Sequence, residues 1–296
     1  MTRAIIEVEI LNLVDGNVKH GRVIGEAGYS ALVEVTYDDS SKFTFLFDTS
    51  ISALALTHNL TKLDKDLTTV KMIVLSHGHL DHVGGLIESL VLVGGKSPVL
   101  CHPDALVPKT LTLDNGKKYD VGIQEFFTES NLKAKTKVII SREPYVISEG
   151  IQTTGEVPRT NSFEKLTGLL LKMTTELDGK EGLDNVNDDL SVVFQMKDGS
   201  VVILAGCCHS GIVNTVNHVV ELTGSSTIVG IVGGLHLHDA SRERLTNTIR
   251  HLKEYPLITI APCHCTGLRG RAALMNAFED QFKDIGVGSV VKFTSN

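Results

Sequence analysis

Two periods organise the 296-residue chain. Alternation at period two marks residues 5–13, where Glu7 and Glu9 separate Ile6, Val8 and Ile10, and residues 31–37 and 42–47, which flank the polar turn Asp38-Asp39-Ser40-Ser41. Such alternation predicts strands, and the turn predicts a hairpin. Largely apolar runs at 71–75, 98–101, 138–140, 227–232 and 257–261 predict short buried strands. A second hairpin is predicted from 191–196 and 200–204 around Lys197-Asp198-Gly199, and 145–151 and 169–173 are strand-like. Helical spacing predicts helices at 52–60, 81–92, 212–222, 242–253 and 269–282, while the polar, Gly-containing stretch 178–189 reads as a loop. Between 104 and 137 the pattern weakens around the turn Asp114-Asn115-Gly116, which predicts an insertion or lid on a single domain spanning 1–296. Strands precede helices in two successive halves, so the class is α/β.

Composition narrows the class of function. Apolar residues at 42% and charged ones at 21% are globular values, which excludes a disordered or collagen-like chain. With 28 basic and 35 acidic residues the net charge is −7, which argues against a nucleic-acid footprint. Glu7 and Glu9 interrupt what would otherwise be a signal peptide's apolar region. Residues 199–220 carry no formal charge, but Cys207, Cys208, His209, Asn214 and His218 fall inside them, which predicts strand, loop and helix instead of a membrane span. A cytoplasmic protein with reduced thiols and no membrane partner is expected. Its oligomeric state is not legible.

The unusual feature is where the 12 His and 5 Cys fall. Every Cys lies within two residues of a His, in Cys101-His102, Cys207-Cys208-His209 and Cys263-His264-Cys265, and His77-Gly78-His79-Leu80-Asp81-His82 follows a predicted strand. At this chain's His frequency, that last pattern would arise by chance in about one chain in a thousand. Histidines at i and i+2 beyond a strand end can point the same way, while Asp81 and His82 open the next helix and turn elsewhere, so one loop can serve two adjacent metal ions. Each zinc-like ion wants about three protein ligands and an open position. His209 and His264 also sit just past predicted buried strands, where open α/β sheets gather their sites.

The His-x-His-x-Asp-His loop with later strand-end ligands resembles the metallo-β-lactamase superfamily. Phe47-Asp48-Thr49, Ala205-Gly206-Cys207 and Pro262-Cys263-His264 look like its other motifs. Gly-Cys-Cys-His-Ser-Gly at 206–211, Gly-Gly-Leu-His-Leu at 233–237 and Thr-Gly-Glu-Val-Pro-Arg at 154–159 look like one branch, which includes pyrophosphate-releasing synthases of methanopterin biosynthesis. The resemblance implies an αββα sandwich of two packed mixed sheets flanked by helices. It also implies two divalent metal ions, zinc first with manganese or iron as alternatives. His77 and His79 would hold one ion, and Asp81, His82 and His264 the other.

This chain departs from hydrolytic members in having Gly155-Glu156-Val157 where they place a His, and Cys207 where they place a bridging Asp. Either His209 completes the first metal site with Cys207 as a bridging thiolate, or Glu156 is a ligand and His209 contacts substrate. Imidazole and thiolate suit a zinc-like ion better than a lone carboxylate, which favours the first. Asp81 and His236 are the candidate catalytic groups. Glu156, Arg159 and Thr160 are candidates for binding substrate, Arg159 by bidentate contact with phosphate. Asp48 is expected to orient a ligand His, and Cys208, Cys263 and Cys265 to pack as small hydrophobes. The expected substrate is a phosphorylated small molecule, met either by the synthase reaction or by hydrolysis of an ester, lactone or phosphodiester. A metal- or redox-sensing module without turnover is the competing class.

Overall fold

The computed structural model describes residues 3–295 apart from 20, 96, 124–128 and 178. Two sheets lie face to face. The first runs β17-β1-β2-β3-β4-β5-β8, with β1 at Ile5–Val14, β2 at Ser30–Tyr37, β3 at Lys42–Phe47, β4 at Ile73–Val74, β5 at Val99–Cys101, β8 at Val138–Ile140 and β17 at Val290–Thr294. Its β17, β1, β2 and β3 pair antiparallel, and β3, β4, β5 and β8 parallel. The second runs β16-β15-β14-β13-β10-β9, with β9 at Val146–Ser148, β10 at Ile151–Thr153, β13 at Ser191–Gln195, β14 at Val201–Ala205, β15 at Ile228–Gly234 and β16 at Thr259–Cys263. Here β14, β15 and β16 are parallel and the rest antiparallel.

The inward faces make one core in which Val33, Phe45 and Phe47 of the first sheet meet Val192, Phe194 and Val202 of the second. Phe45 and Phe194 stack across it with centroids 6.2 Å apart; burying one such side chain is worth about 1.5–3 kcal/mol. On the outer face of the first sheet, α1 (Ala53–Lys62) and α3 (Leu86–Leu92) bury Leu56, Leu60, Leu86 and Leu90. On that of the second, α5 (Ile212–Thr223), α6 (Arg242–Leu252) and α7 (Gly267–Phe278) bury Ile212, Val216, Leu245, Leu252 and Leu274. The expected αββα sandwich is the observed architecture. Among the described residues no helix is long and apolar enough to cross a membrane, and residues 199–220 divide into β14, a Cys- and His-bearing loop and α5.

Three expectations about elements need correction. The strand expected at 145–151 is a hairpin, because Glu149 and Gly150, the latter at φ +72°, turn the chain between β9 and β10. The strand expected at 169–173 is a 3₁₀ turn, Gly168–Lys172, followed by β11 (Met173–Leu177). The loop expected at 178–189 contains a strand, β12 (Lys180–Leu183), whose alternation is hidden because all four residues are exposed. β11 and β12 join β6 (Lys109–Thr112) and β7 (Lys118–Asp120) in a four-stranded sheet ordered β12-β11-β6-β7. The stretch expected to be a lid therefore supplies half of this third sheet, a short helix α4 (Glu129–Lys133) and residues 124–128, which lie outside the described ones.

Register sets where the chemistry falls. Ala205 of β14 pairs with Gly233 of β15, and Gly233 with Pro262 of β16, so Cys207, His236 and His264 leave the sheet at one edge. Phe47 of β3 pairs with Val74 of β4, which brings Asp48 and His77 to the corresponding edge of the first sheet. The two edges meet. At Gly206 a Cβ would fall 2.2 Å from the Ser76 hydroxyl, so only glycine lets these strand ends approach.

Candidate metal centre

The loop after β4 presents His77 and His79 and then enters the short helix α2 (Leu80–Val83), which carries Asp81 and His82. Nε2 of His77 faces Nδ1 of His79 at 3.0 Å and Nε2 of His209 at 3.2 Å. Nε2 of His82 stands 3.2 Å from Nε2 of His264 and 3.2 Å from Sγ of Cys207, and a carboxylate oxygen of Asp81 is 3.3 Å from Nε2 of His264. Donors about 2.0–2.1 Å from a tetrahedral ion lie about 3.3 Å from one another. Converging imidazole nitrogens at this spacing therefore fit a bound divalent ion, with His77, His79 and His209 as one triad and Asp81, His82 and His264 as the next. Cys207 lies within reach of both.

The protonation states of His77, His209 and Asp81 agree with that use, whereas His264, held protonated by Asp81, must shed that proton to ligate an ion. Burial, and then the neighbouring histidines, push His77 and His209 well below the ordinary imidazole value, so both are neutral. Burial opposes ionisation of Asp81, but His82 and His264 outweigh it and hold the carboxyl below its ordinary range. Burial also works against protonated His264, yet its hydrogen bond and charge contact with Asp81 raise it to about 9. Nδ1 of His82 donates to Asp48 Oδ2 at 2.7 Å, and Asp48 accepts from the Ser76 amide and hydroxyl at 2.7 Å each. This fixes the His82 tautomer and aims Nε2 at the cluster, the part expected of Asp48.

The backbone is bent to match. Asp48, Cys208, His236 and His264 all have φ between +43° and +58°. Non-glycine residues there cost of order 1–3 kcal/mol each and gather where function demands them. The donors open on a cavity of about 350 Å³, lined by His79, Asp81, Cys207, His209, His236, His264 and Cys265 and by the apolar Ile51, Leu80, Val121, Leu169, Leu170 and Met173.

A family model for the metallo-β-lactamase superfamily matches residues 24–264. The chain belongs to that superfamily. At 31% identity over 90% of each chain, it is similar to the 7,8-dihydropterin-6-methyl-4-(β-D-ribofuranosyl)-aminobenzene-5′-phosphate synthase of Methanocaldococcus jannaschii. It is 36% identical to an uncharacterised protein of the same organism, over 88% of this chain and 92% of that one. Among solved structures it matches a metal-dependent hydrolase of the β-lactamase superfamily with a TM-score of 0.80 and 25% identity, covering 97% of this chain and all of that one. A diphosphatase of the PhnP family shares the fold, with a TM-score of 0.51 and 13% identity over 98% of each chain. Divalent-metal binding is what this superfamily's fold implies for the donor clusters described above.

Within this metallo-β-lactamase fold, the expected substrate-binding residues lie elsewhere. Glu156 accepts from Arg142 at 2.8 Å and pairs with His102 Nε2 at 3.0 Å, outside both donor triads. Arg159 spends its NH2 on the Asn185 carbonyl at 2.8 Å, and Thr160 gives its amide and hydroxyl to Asn214. None of the three lines the metal-side cavity. Each is tied to neighbouring loop residues, which charge alone does not reveal. Of the two ways of completing the first triad, the geometry brings His209 to His77 and leaves Glu156 away. Glu156→Gln is accordingly expected to retain the full metal content of the parent protein by elemental analysis; loss of one equivalent would return Glu156 to the ligand set.

Three residues were not foreseen. Lys109, Asp184 and Asp188 form a buried ion cluster in which Nζ lies 3.0 Å from Asp184 and 3.4 Å from Asp188. Asp184 reaches to 3.5 Å from His79 Nε2, and Asp188 accepts from the Gly78 amide at 2.7 Å. The neighbouring Asp189 accepts from the Ser210 amide, and the Leu190 amide donates to the Ser76 carbonyl. One loop thus braces the segments that carry all three histidines of the first triad. The signal available in the sequence was the crowding of three aspartates into residues 184–189, read there only as polarity.

Proposed function

We propose that the protein is a dinuclear-metal enzyme acting on a phosphate- or pyrophosphate-bearing small molecule, and that its reaction is the one named for the 31%-identical relative. In that reaction a dihydropterin-methyl diphosphate and a ribofuranosyl-aminobenzene phosphate are joined with release of pyrophosphate. Two donor triads opening on one cavity carry the reading. Divalent ions held there would supply Lewis acidity to phosphoryl oxygens, including those of a departing pyrophosphate. Asp81, ionised and partly exposed, lines the cavity and is placed to orient an incoming amine or water by accepting a hydrogen bond from it. His236 is 8% exposed and its Nδ1 has no hydrogen-bond partner among the described residues, so it can hold or deliver a proton at a substrate oxygen. The substrate is a small molecule in this reading, with neither nucleic acid nor membrane as partner and the cytoplasm as its place.

A second reading, hydrolysis of an ester, lactone or phosphodiester, draws on the 25%-identical metal-dependent hydrolase. Incubating the metal-loaded protein with the two pterin-pathway substrates and measuring pyrophosphate separates them. Release that depends on both substrates supports the synthase; no release at stoichiometric protein, with turnover of a generic phosphodiester, sinks it in favour of the hydrolase. Absence of any turnover would leave the sensing module.

A further inference from the structure

The cavity's lining combines two chemistries. Every ionisable group that lines it is His, Asp or Cys, and no Lys or Arg is among the described lining residues. Besides the donors and Thr167, His238 and Asp239, the lining is apolar and comes from separate parts of the chain: Leu80 from α2, Val121 from just after β7, and Leu169, Leu170 and Met173 from the 3₁₀ turn and the start of β11. Leu169 is 54% exposed, and so is left in solvent at a site that a folded chain would otherwise cover. This wall is held in place. Thr167 donates to Asp239 at 3.0 Å, Met173 pairs with Leu111 in the third sheet, and the Leu80 amide donates to the Val121 carbonyl at 2.8 Å. The same lining includes the imidazoles of His236 and His238, 4.8 Å apart between centroids and nearly perpendicular to one another.

From this arrangement we infer that the apolar wall is a clamp for an uncharged aromatic ring of the substrate, with the substrate's anionic group confined to the donors. Only the assignment of the anionic group rests on the phosphate reading above. Imidazole rings, a Met thioether and leucine side chains in one lining offer a flat ring the edge, face and sulfur contacts that a flexible chain cannot use. About 150 Å³ suffices to hold benzene, so about 350 Å³ accepts one or two rings with a substituent. With no Lys or Arg among the described lining residues, an anionic group beside the ring would find no basic side chain of that kind to replace its hydration.

Two probes test the clamp separately from the phosphate reading. The neutral dye N-phenyl-1-naphthylamine should bind the metal-loaded protein with a fluorescence increase that Leu169→Ser weakens and Leu171→Ser does not, because Leu171 is equally exposed, at 57%, but does not line the cavity. Phenylphosphonate should bind on the order of tenfold more tightly than methylphosphonate, and more tightly than n-hexylphosphonate, with Leu169→Ser reducing the phenyl-to-methyl ratio. Dye binding that follows this pattern while no phosphonate binds would overturn the phosphate reading and leave the clamp standing. Dye binding insensitive to Leu169→Ser, or hexylphosphonate binding as tightly as phenylphosphonate, overturns the clamp.

Discussion

His82→Ala is expected to lose about one metal equivalent per chain and to lower turnover on the order of a thousandfold or more. His82 sits where the two triads adjoin, with Nε2 3.2 Å from both Cys207 Sγ and His264 Nε2 and Nδ1 locked on Asp48. The Asp48 carboxylate cannot take its place, because it is itself committed to Ser76. Lewis-acid assistance is worth several kcal/mol, and each 1.36 kcal/mol is tenfold in rate. Complete removal of metal by chelation should act in the same direction and also lower the melting temperature, since a ligand present at about a thousand times its Kd contributes about 4 kcal/mol to stability. Elemental analysis, steady-state rates and thermal melts check these outcomes together; a His82→Ala protein with full metal and parent turnover would dismantle the proposed site.

Asp184→Ala is expected to cost about 3 kcal/mol of stability and to weaken the first metal site about 10–100-fold. The Lys109 side chain is 1% exposed, and without Asp184 it keeps only Asp188. Breaking a buried pair by removing one partner leaves an uncompensated charge at about 3–5 kcal/mol, and the remaining carboxylate places the expectation at the low end. The effect on metal follows from His79, whose Nδ1 faces the triad while Nε2 points to Asp184; losing a carboxylate behind a ligand imidazole typically costs that factor. The pH dependence has a definite sign. Burial alone would raise the Asp184 carboxyl, but His79 and Lys109 outweigh it and hold it below its ordinary value. Its contribution is therefore present above about pH 4 and lost as pH falls further. Urea melts from pH 7 to pH 3 should show a parent protein that weakens with acid and a variant that weakens less. Equal slopes would mean that the cluster stabilises nothing.

How much the sequence disclosed depended on which force fixed each feature. Hairpins and buried strands were legible where packing imposes a period: β2, β3, β13 and β14 lie within a residue of the expected bounds. β12 was not, because a fully exposed edge strand has no buried face to imprint alternation. β17 was also missed, its alternating Val291 and Phe293 lying too near the end of the chain to stand out. The six histidine and aspartate residues that the structure brings together were legible because a candidate metal site calls for particular residue types at strand exits, and strand exits can be located. Glu156, Arg159 and Thr160 show the converse. A charged residue in a loop carries no mark of whether its partner is a substrate or, as for these three, Arg142, Asn185 and Asn214. Asp184 and Lys109 lie 75 residues apart, and nothing in either segment announces the pairing.

The third sheet separates two jobs that many pockets combine. Donors leave the edges of the two main sheets, whose register cannot slip without moving the strained turns at Asp48, His236 and His264. Much of the apolar wall hangs on β6, β7 and β11, whose exposed turn at Asn115 and Gly116 is bound by no such constraint. Lengthening or shortening that turn would let a lineage, or a laboratory library, retune which substrate body is admitted while inheriting the reactive machinery unchanged.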